Sequence, residues 1–370
     1  MRGIPSSYSG YETFIGELAP RLAARGHQVT VACRRSLFPT RPEVWNGVRL
    51  RYLPSFEHKA FSTLSHSWLA MRAAVRARPD VILAVNAATG LFASIPRRRG
   101  VPLVVNVDGM EWLRPKWNRL ARRLFLQGAR LACRYADAVV TDAEEMHRLY
   151  ARQFGIDSDY IAYGATPAEV SNPEAVRSLG LEPDRYVFVA GRLVPDNNAD
   201  LVVGAYRHVR TAFTLAVAGG ADYRGNAAER AYFDRLASLA DGRVRFLGHV
   251  HDRGVFQALC AHSFAYVHAH QYGGVNPSLL QALALGCMVL ALNTPFNAEV
   301  LDNGRYGVLF DRGPDALAAA LQTLCDRPDL TAPYRQRARD RIRERFTWER
   351  IADQYERLLL RVARREREER

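Results

Sequence analysis

Short apolar segments alternate with helical ones along nearly the whole chain, and this alternation restricts the fold more than any other feature. A first series of strand-like segments runs 28–33, 48–53, 81–85, 103–107 and 138–141. A second runs 186–190, 213–217, 244–247, 265–268, 288–290 and 307–310. The stretches between them have helical spacing; one covers about Tyr11 to Arg25 and stops at Gly26, a good helix terminator. Short apolar strands separated by helices belong to parallel sheets covered on both faces. Two such series predict an α/β protein with two doubly wound domains, each taking ligands at the carboxyl ends of its strands. The boundary falls in Ala165–Asp184, where Pro167, Pro173 and Pro183 break the periodicity. The predicted organisation is 1–165, 166–348 and a terminal helix, 349–370, with Ile351, Tyr355, Leu358 and Leu359 on one stripe. One element is lacking: nothing ahead of Met1–Arg2–Gly3 forms the buried strand that should open the first domain. Either the start lies upstream or the first sheet lacks a central strand, and the former is favoured.

Composition removes several classes. At 370 residues and 48% hydrophobic content the chain has room for two folded domains. No apolar run approaches the roughly 18 residues that span a bilayer, and no secretory h-region follows Met1. Cys33, Cys133, Cys260, Cys287 and Cys325 are scattered and form no CxxC pair, as expected of buried reduced thiols in a cytoplasmic protein. The formal charge is +13, nearly all from arginine, with Lys59 and Lys116 the only lysines. Clusters lie at Arg97–Arg98–Arg99, at Arg119–Arg123 and in a tail from Arg361 to Arg367, where glutamate is interleaved as on a solvated helix face. Basic patches suit anionic lipid or phosphorylated substrates. No helix-turn-helix, zinc-finger or RRM pattern accompanies them, so nucleic acid is not an expected partner.

Chemistry concentrates at the predicted strand ends. After 265–268 the chain reads His268–Ala269–His270–Gln271–Tyr272–Gly273–Gly274–Val275–Asn276–Pro277–Ser278 and runs to Gln281. Asn276 suits a helix N-cap and Pro277 the first helical position. The positive end of that helix faces two glycines, an arrangement found at phosphate sites and equally at ordinary strand–loop–helix corners. Gln281 falls on the same helix face as Pro277. Gly10 opens the first helix, either for close ligand approach or for a tight turn. Arg192 follows 186–190, where a guanidinium either grips a diphosphate or sits in a surface ion pair. Asp108 and Glu111 follow 103–107; the two carboxylates read as orienting sugar hydroxyls or taking part in proton transfer, and Asp108 equally as a helix cap. Asp157–Ser158–Asp159 spells a DxD pattern but follows a helix, and His249, His268 and His270 lack metal-ligand spacing, so no metal site is assigned.

In order, Tyr8–Ser9–Gly10–Tyr11–Glu12–Thr13–Phe14, Asn106 to Trp112 with Lys116–Trp117, Ala162–Tyr163–Gly164–Ala165, Arg192 with Val194 to Asn198, and His268 to Gln281 span almost the whole chain. Together they resemble the bacterial rhamnosyltransferase-like branch of the family-4 glycosyltransferases. The resemblance implies the GT-B fold, two Rossmann-like domains facing across a cleft with the C-terminal helix returning to the first. It implies transfer of rhamnose or another hexose from a nucleotide-diphosphate sugar to a cell-surface polysaccharide or glycolipid precursor, with retention and with no metal or other cofactor. It also implies a cytoplasmic enzyme, peripheral on the inner face of the membrane where the acceptor is lipid-linked. Carried over, Arg192 binds the diphosphate, with Gly10, Asn197, Gly273, Gly274, Asn276, Ser278 and Gln281 also on the donor; Asp108 and Glu111 face the acceptor, and Asp108 also faces the transferred sugar.

This chain departs from the pattern at Gln281, where the branch keeps glutamate, and at Ser9, where a second glycine is usual. The amide at 281 forgoes a charge-assisted bond, a weakening of about 1 kcal/mol. A catalytically weak nucleotide-sugar-binding or scaffold protein of the same fold is therefore the alternative. A dinucleotide oxidoreductase is disfavoured, because no GxGxxG follows a strand.

Overall fold

A computed structural model describes residues 1–5, 10–56, 62–114, 117–220 and 227–368, with backbone only at Ala228 and 365–368. Tyr8, Ser9, Lys59 and Lys116 lie outside the described residues, as do the side chains of Arg365 and Arg367. The chain forms two compact units, Met1–Gly164 with Trp348–Arg370, and Ala165–Thr347.

The first unit carries strands β1 (Thr30–Arg34), β2 (Val44–Trp45), β3 (Val48–Leu53), β4 (Ile82–Val85), β5 (Leu103–Asn106), β6 (Ala138–Thr141) and β7 (Asp159–Tyr160). They form two sheets, β1-β3-β2 and β4-β5-β6-β7. The second sheet is wholly parallel, and all four residues of β5 are buried, as a strand covered on both faces requires. Its strands therefore deliver Asn86, Asp108, Asp142 and Tyr163 to one edge. Arg2 lies beside β1, where the Arg34 N–H donates to the Arg2 carbonyl at 2.8 Å.

The helix Trp348–Glu368 packs within this unit. Its buried stripe is Ile351, Tyr355, Leu358 and Val362, each large apolar side chain contributing about 2 kcal/mol by burial. The Phe14 ring lies 5.1 Å from Tyr355 and 5.2 Å from Tyr163. Asn106, fully buried at the end of β5, donates through Nδ2 to the Tyr355 hydroxyl at 2.8 Å. The terminal helix thus reaches the strand edge that carries Asp108.

The second unit is one parallel sheet of β8 (Tyr186–Ala190), β9 (Thr214–Ala218), β10 (Val244–Gly248), β11 (Ala265–His268), β12 (Val289–Leu292) and β13 (Val308–Phe310). The order is β10-β9-β8-β11-β12-β13. The chain moves outward one way from β8 and the other way from β11, so these central neighbours form the topological switch point. In open α/β sheets ligands bind at the carboxyl ends of the strands at such a point.

Two strands escape the sequence pattern, β2 and β7, each of two residues. The second contains Asp159, whose carboxylate accepts from Arg361 Nη2 at 2.6 Å. Ser158 is buried against the Thr141 hydroxyl at 3.0 Å. Ser158 and Asp159 of the DxD run are thus taken up in the packing of the first unit, while the Asp157 side chain is exposed.

Candidate active site

In the second unit the site is built from the loops after β8 and β11. Gly191 leaves β8 with φ +151°, and a Cβ there would stand 2.8 Å from His270 Nε2, so only glycine lets the two loops approach. Arg192 follows. Its side chain is exposed, and among the described residues it has no hydrogen bond or ion pair. A cation without a carboxylate partner at a strand's carboxyl end leaves its full donor fork for an anion. Asn197 donates through Nδ2 to the Arg192 carbonyl at 2.8 Å and closes the loop. Asp196, 5% exposed, has no hydrogen bond to either carboxylate oxygen among the described residues.

Across the switch point the helix Pro277–Ala284 starts as the sequence indicates, with Asn276 as N-cap and proline at the first position. Asn276 Oδ1 accepts from the Ser278 N–H at 2.9 Å and from Ser278 Oγ at 2.8 Å, while the Leu279 and Leu280 N–H groups bond to the Asn276 carbonyl. The first free amides of the helix are therefore consumed locally. What the helix end offers a ligand is its macrodipole and the loop ahead of it, where Gly273 takes φ +125°. Gln281 is half-buried one turn further on.

Three polar side chains pin this loop from outside the motif. Asn198 Nδ2 donates to the Ala269 carbonyl at 2.8 Å, Asn297 Nδ2 to the His270 carbonyl at 3.2 Å, and Arg312 Nη1 to Gln271 Oε1 at 2.7 Å. Asn198 belongs to the motif after β8, whereas Asn297 and Arg312 did not stand out in the sequence, because only the pairing of strands far apart in the chain brings them to this loop. His268 is 1% exposed, has no hydrogen bond at either ring nitrogen among the described residues, and packs at 4.4 Å against His270 with the rings tilted by 50°. Burial, with His270 as a lesser cause, pushes its pKa well below the ordinary range, so it is a neutral imidazole.

In the first unit Asp108 is the centre. Its N–H bonds to Asn106 Oδ1 at 3.1 Å, its Oδ2 accepts from the Tyr163 hydroxyl at 2.6 Å, and its carbonyl accepts from the Tyr11 hydroxyl at 3.2 Å. Tyr11 follows Gly10 in the first helix, so that helix start and the β5 loop form one cluster. The capping role is not adopted: the short helix Glu111–Leu113 begins after Met110 and has no side-chain cap. Burial raises the Asp108 pKa, against the opposing effect of the Tyr163 hydroxyl and Arg114. Glu111 accepts from Trp117 Nε1 and pairs with Arg114 at 3.1 Å, so it buttresses the loop.

Comparison with known proteins agrees with this architecture. Residues 9–167 match the "Glycosyl transferase 4-like domain" and residues 184–327 match "Glycosyl transferases group 1". The chain is 26% identical to the glycogen synthase of Mycobacterium tuberculosis, over 98% of this chain and 94% of that one. Sucrose-phosphate synthase from Thermosynechococcus elongatus superposes with a TM-score of 0.81 at 19% identity, covering 95% and 93% of the two chains. HepE from Anabaena, in a complex with UDP-glucose, superposes with a TM-score of 0.77 at 17% identity, covering 95% and 96%. The chain is a glycosyltransferase of the GT-B fold, built from a glycosyltransferase-4-like and a group 1 domain.

Proposed function

We propose that this enzyme transfers a hexosyl or deoxyhexosyl unit, rhamnose foremost, from a nucleoside diphosphate sugar to a cell-surface polysaccharide or glycolipid precursor, with retention and without a metal. The observation that carries the reading is Arg192, a guanidinium with no partner among the described residues at the switch point of the second sheet. Support for the donor class comes from HepE, whose complexes hold UDP, UDP with glucose, and UDP-glucose. Support for a lipid-linked acceptor comes from a Campylobacter jejuni relative, 24% identical over 50% of this chain, named as an N-acetylgalactosaminyltransferase acting on a diphospho-undecaprenol sugar. The rhamnosyl preference rests on the motif resemblance.

In this reading the departing nucleoside diphosphate gains charge as the glycosidic bond breaks. The Arg192 guanidinium and the positive end of the Pro277 helix stabilise that charge. The departing phosphate takes the acceptor's proton, so no separate protein base is required. Asp108, held by the Tyr163 hydroxyl, orients the acceptor or the transferred sugar.

The first unit also presents a basic, partly apolar face at the helix Arg119–Tyr135. Arg119 and Arg123 are exposed there beside Leu113, Leu120 and Leu124, with Leu120 67% exposed. Among the described residues no helix is long and apolar enough to cross a membrane. We read this face as a peripheral contact with anionic lipid, where each arginine contributes about 1 kcal/mol. The chain is expected to float with liposomes containing anionic lipid at low salt and to be released at high salt. Failure to float at any ionic strength contradicts this contact.

Against a panel of nucleoside diphosphate sugars, Arg192→Ala is expected to lower kcat/KM by roughly a hundredfold or more, with Arg192→Lys intermediate because a single ammonium replaces a two-pronged donor. Wild-type turnover in Arg192→Ala contradicts the reading, as does a panel with no substrate at all.

Asp108→Asn separates function from stability. The folded-state pKa of Asp108 lies above its unfolded value, so the ionised side chain destabilises the fold at neutral pH and ceases to do so as pH falls below the ordinary carboxylate range. The variant is expected to melt higher than wild type at pH 7.5, with the gap closing toward pH 4, while kcat/KM falls about tenfold or more. A lower Tm at pH 7.5 with unchanged kcat/KM contradicts the assignment.

A further inference from the structure

We propose that Asp142 and Asp108 share one proton, which Asp142 keeps and donates as a hydrogen bond to the Asp108 carboxylate, and that this bond positions Asp108 for a sugar hydroxyl. The second half rests on the glycosyl-transfer reading above; the first half does not.

The sheet brings the two side chains together. Strands β5 and β6 are parallel with Asn106 opposite Val140, and the Val107 N–H donates to the Val140 carbonyl at 2.9 Å. Two residues beyond that pair stand Asp108 on one segment and Asp142 on the other. Neighbouring strands lie about 4.8 Å apart, so carboxyl groups that leave them at the same level come within reach of each other. The Asp142 side chain is hydrogen-bonded to that of Asp108. A carboxylate only accepts, so two ionised side chains cannot make this bond, and one of them holds a proton.

Burial and partners decide which one. Asp142 is fully buried and Asp108 half-buried, and charge is costlier at the more enclosed position. Asp108 also accepts from the Tyr163 hydroxyl at 2.6 Å, which favours its ionised form. Burial raises the Asp108 pKa, and the bond from Asp142 opposes that rise, as a donor to an ionised carboxylate must.

The groups around the pair do not favour a second ionisation. Arg114, a cation acting on Asp108, is paired at 3.1 Å with Glu111, a third carboxylate that disfavours charge on Asp108. Tyr11 on the first helix, Tyr150 on the helix Glu144–Phe154, Tyr163 after β7 and Tyr355 on the terminal helix all interact electrostatically with both aspartates. Burial pushes each of these hydroxyls up, so all four are neutral. A carboxylate has about four acceptor positions. Tyr163 and Asp142 take two and fix the plane of the group, which leaves capacity for a hydroxyl of the acceptor or of the transferred sugar.

The test uses the full chain with 13C at the aspartate carboxyl carbons; Asp108→Asn and Asp142→Asn assign the two signals. In wild type at pH 7.5 the Asp142 carbon is expected at its protonated position and the Asp108 carbon at its ionised position. Asp142→Val removes the donor, leaves little space for water, and is expected to raise the Asp108 titration midpoint. Asp142→Asn puts an amide N–H in place of the carboxyl proton and is expected to leave that midpoint near wild type. Two separate carboxylates would behave oppositely, because Asp142→Val would then remove a like charge and lower the midpoint. An ionised Asp142 signal at pH 7.5, or a lowered Asp108 midpoint in Asp142→Val, overturns the first half. The wild-type signal decides it even where the valine variant does not fold.

With a nucleoside diphosphate sugar that wild type turns over, kcat/KM at pH 7.5 is expected to fall about tenfold in Asp142→Val and to stay within about threefold in Asp142→Asn. Wild-type kcat/KM is also expected to decline on the alkaline side as the shared proton is lost, a limb that Asp142→Asn lacks. Undiminished kcat/KM in Asp142→Val, or an unchanged alkaline limb in Asp142→Asn, overturns the second half and leaves the transferase reading standing. Absence of turnover and of UDP binding in wild type defeats that reading and the second half together, while the titrations remain measurable.

Discussion

The pairing of β8 with β11 at the centre of the second sheet is the constraint on which the donor side depends. Both strands are buried and parallel, with Phe188 in register with Tyr266. That register sets Gly191 against His270 with no space for a Cβ, and it draws Asn198 and Asp196 onto the 269–271 backbone. A shift of two residues, the smallest that keeps the same faces buried, would move the loops by about 6.6 Å and separate every one of these contacts. The anion-binding residue types are common; their convergence is a property of the sheet order, which reverses direction at this pair of strands.

The first unit follows the same logic with a different chemistry. Parallel β4 to β7 bring Asp108 and Tyr163 to one edge, and the terminal helix anchors that edge through Tyr355 and Asn106. Here the cost is electrostatic. A carboxylate drawn from water beside tyrosine rings is harder to ionise, and the Tyr163 hydroxyl recovers only part of the solvation that is lost. A fold seeking stability alone would place an amide or an apolar side chain at 108. Retaining a carboxylate there points to chemistry.

Much of this was legible in the sequence because the deciding forces are local. Strands 138–141, 186–190 and 265–268 are bounded as the sequence predicts because a buried parallel strand is an apolar run between polar loops, and strand 48–53 because its buried and exposed residues alternate. The Asn276–Pro277 helix start was readable because cap and first turn involve neighbours only. The two-residue strands β2 and β7 were not, since such short segments have no period. The Asp108–Asp142 bond, the anchoring by Asn198 and Asn297 and the Tyr11–Asp108 bond depend on contacts between distant segments that no local pattern encodes. The rhamnosyl preference and the metal independence rest on resemblance alone.

Hydrogen–deuterium exchange of the full chain, with and without a saturating nucleoside diphosphate sugar, addresses the central claim most directly. The account predicts slowed exchange in 191–198 and 269–276 together, the two loops that β8 and β11 release. Ligand-dependent protection that misses both loops, centred elsewhere in the chain, would contradict it.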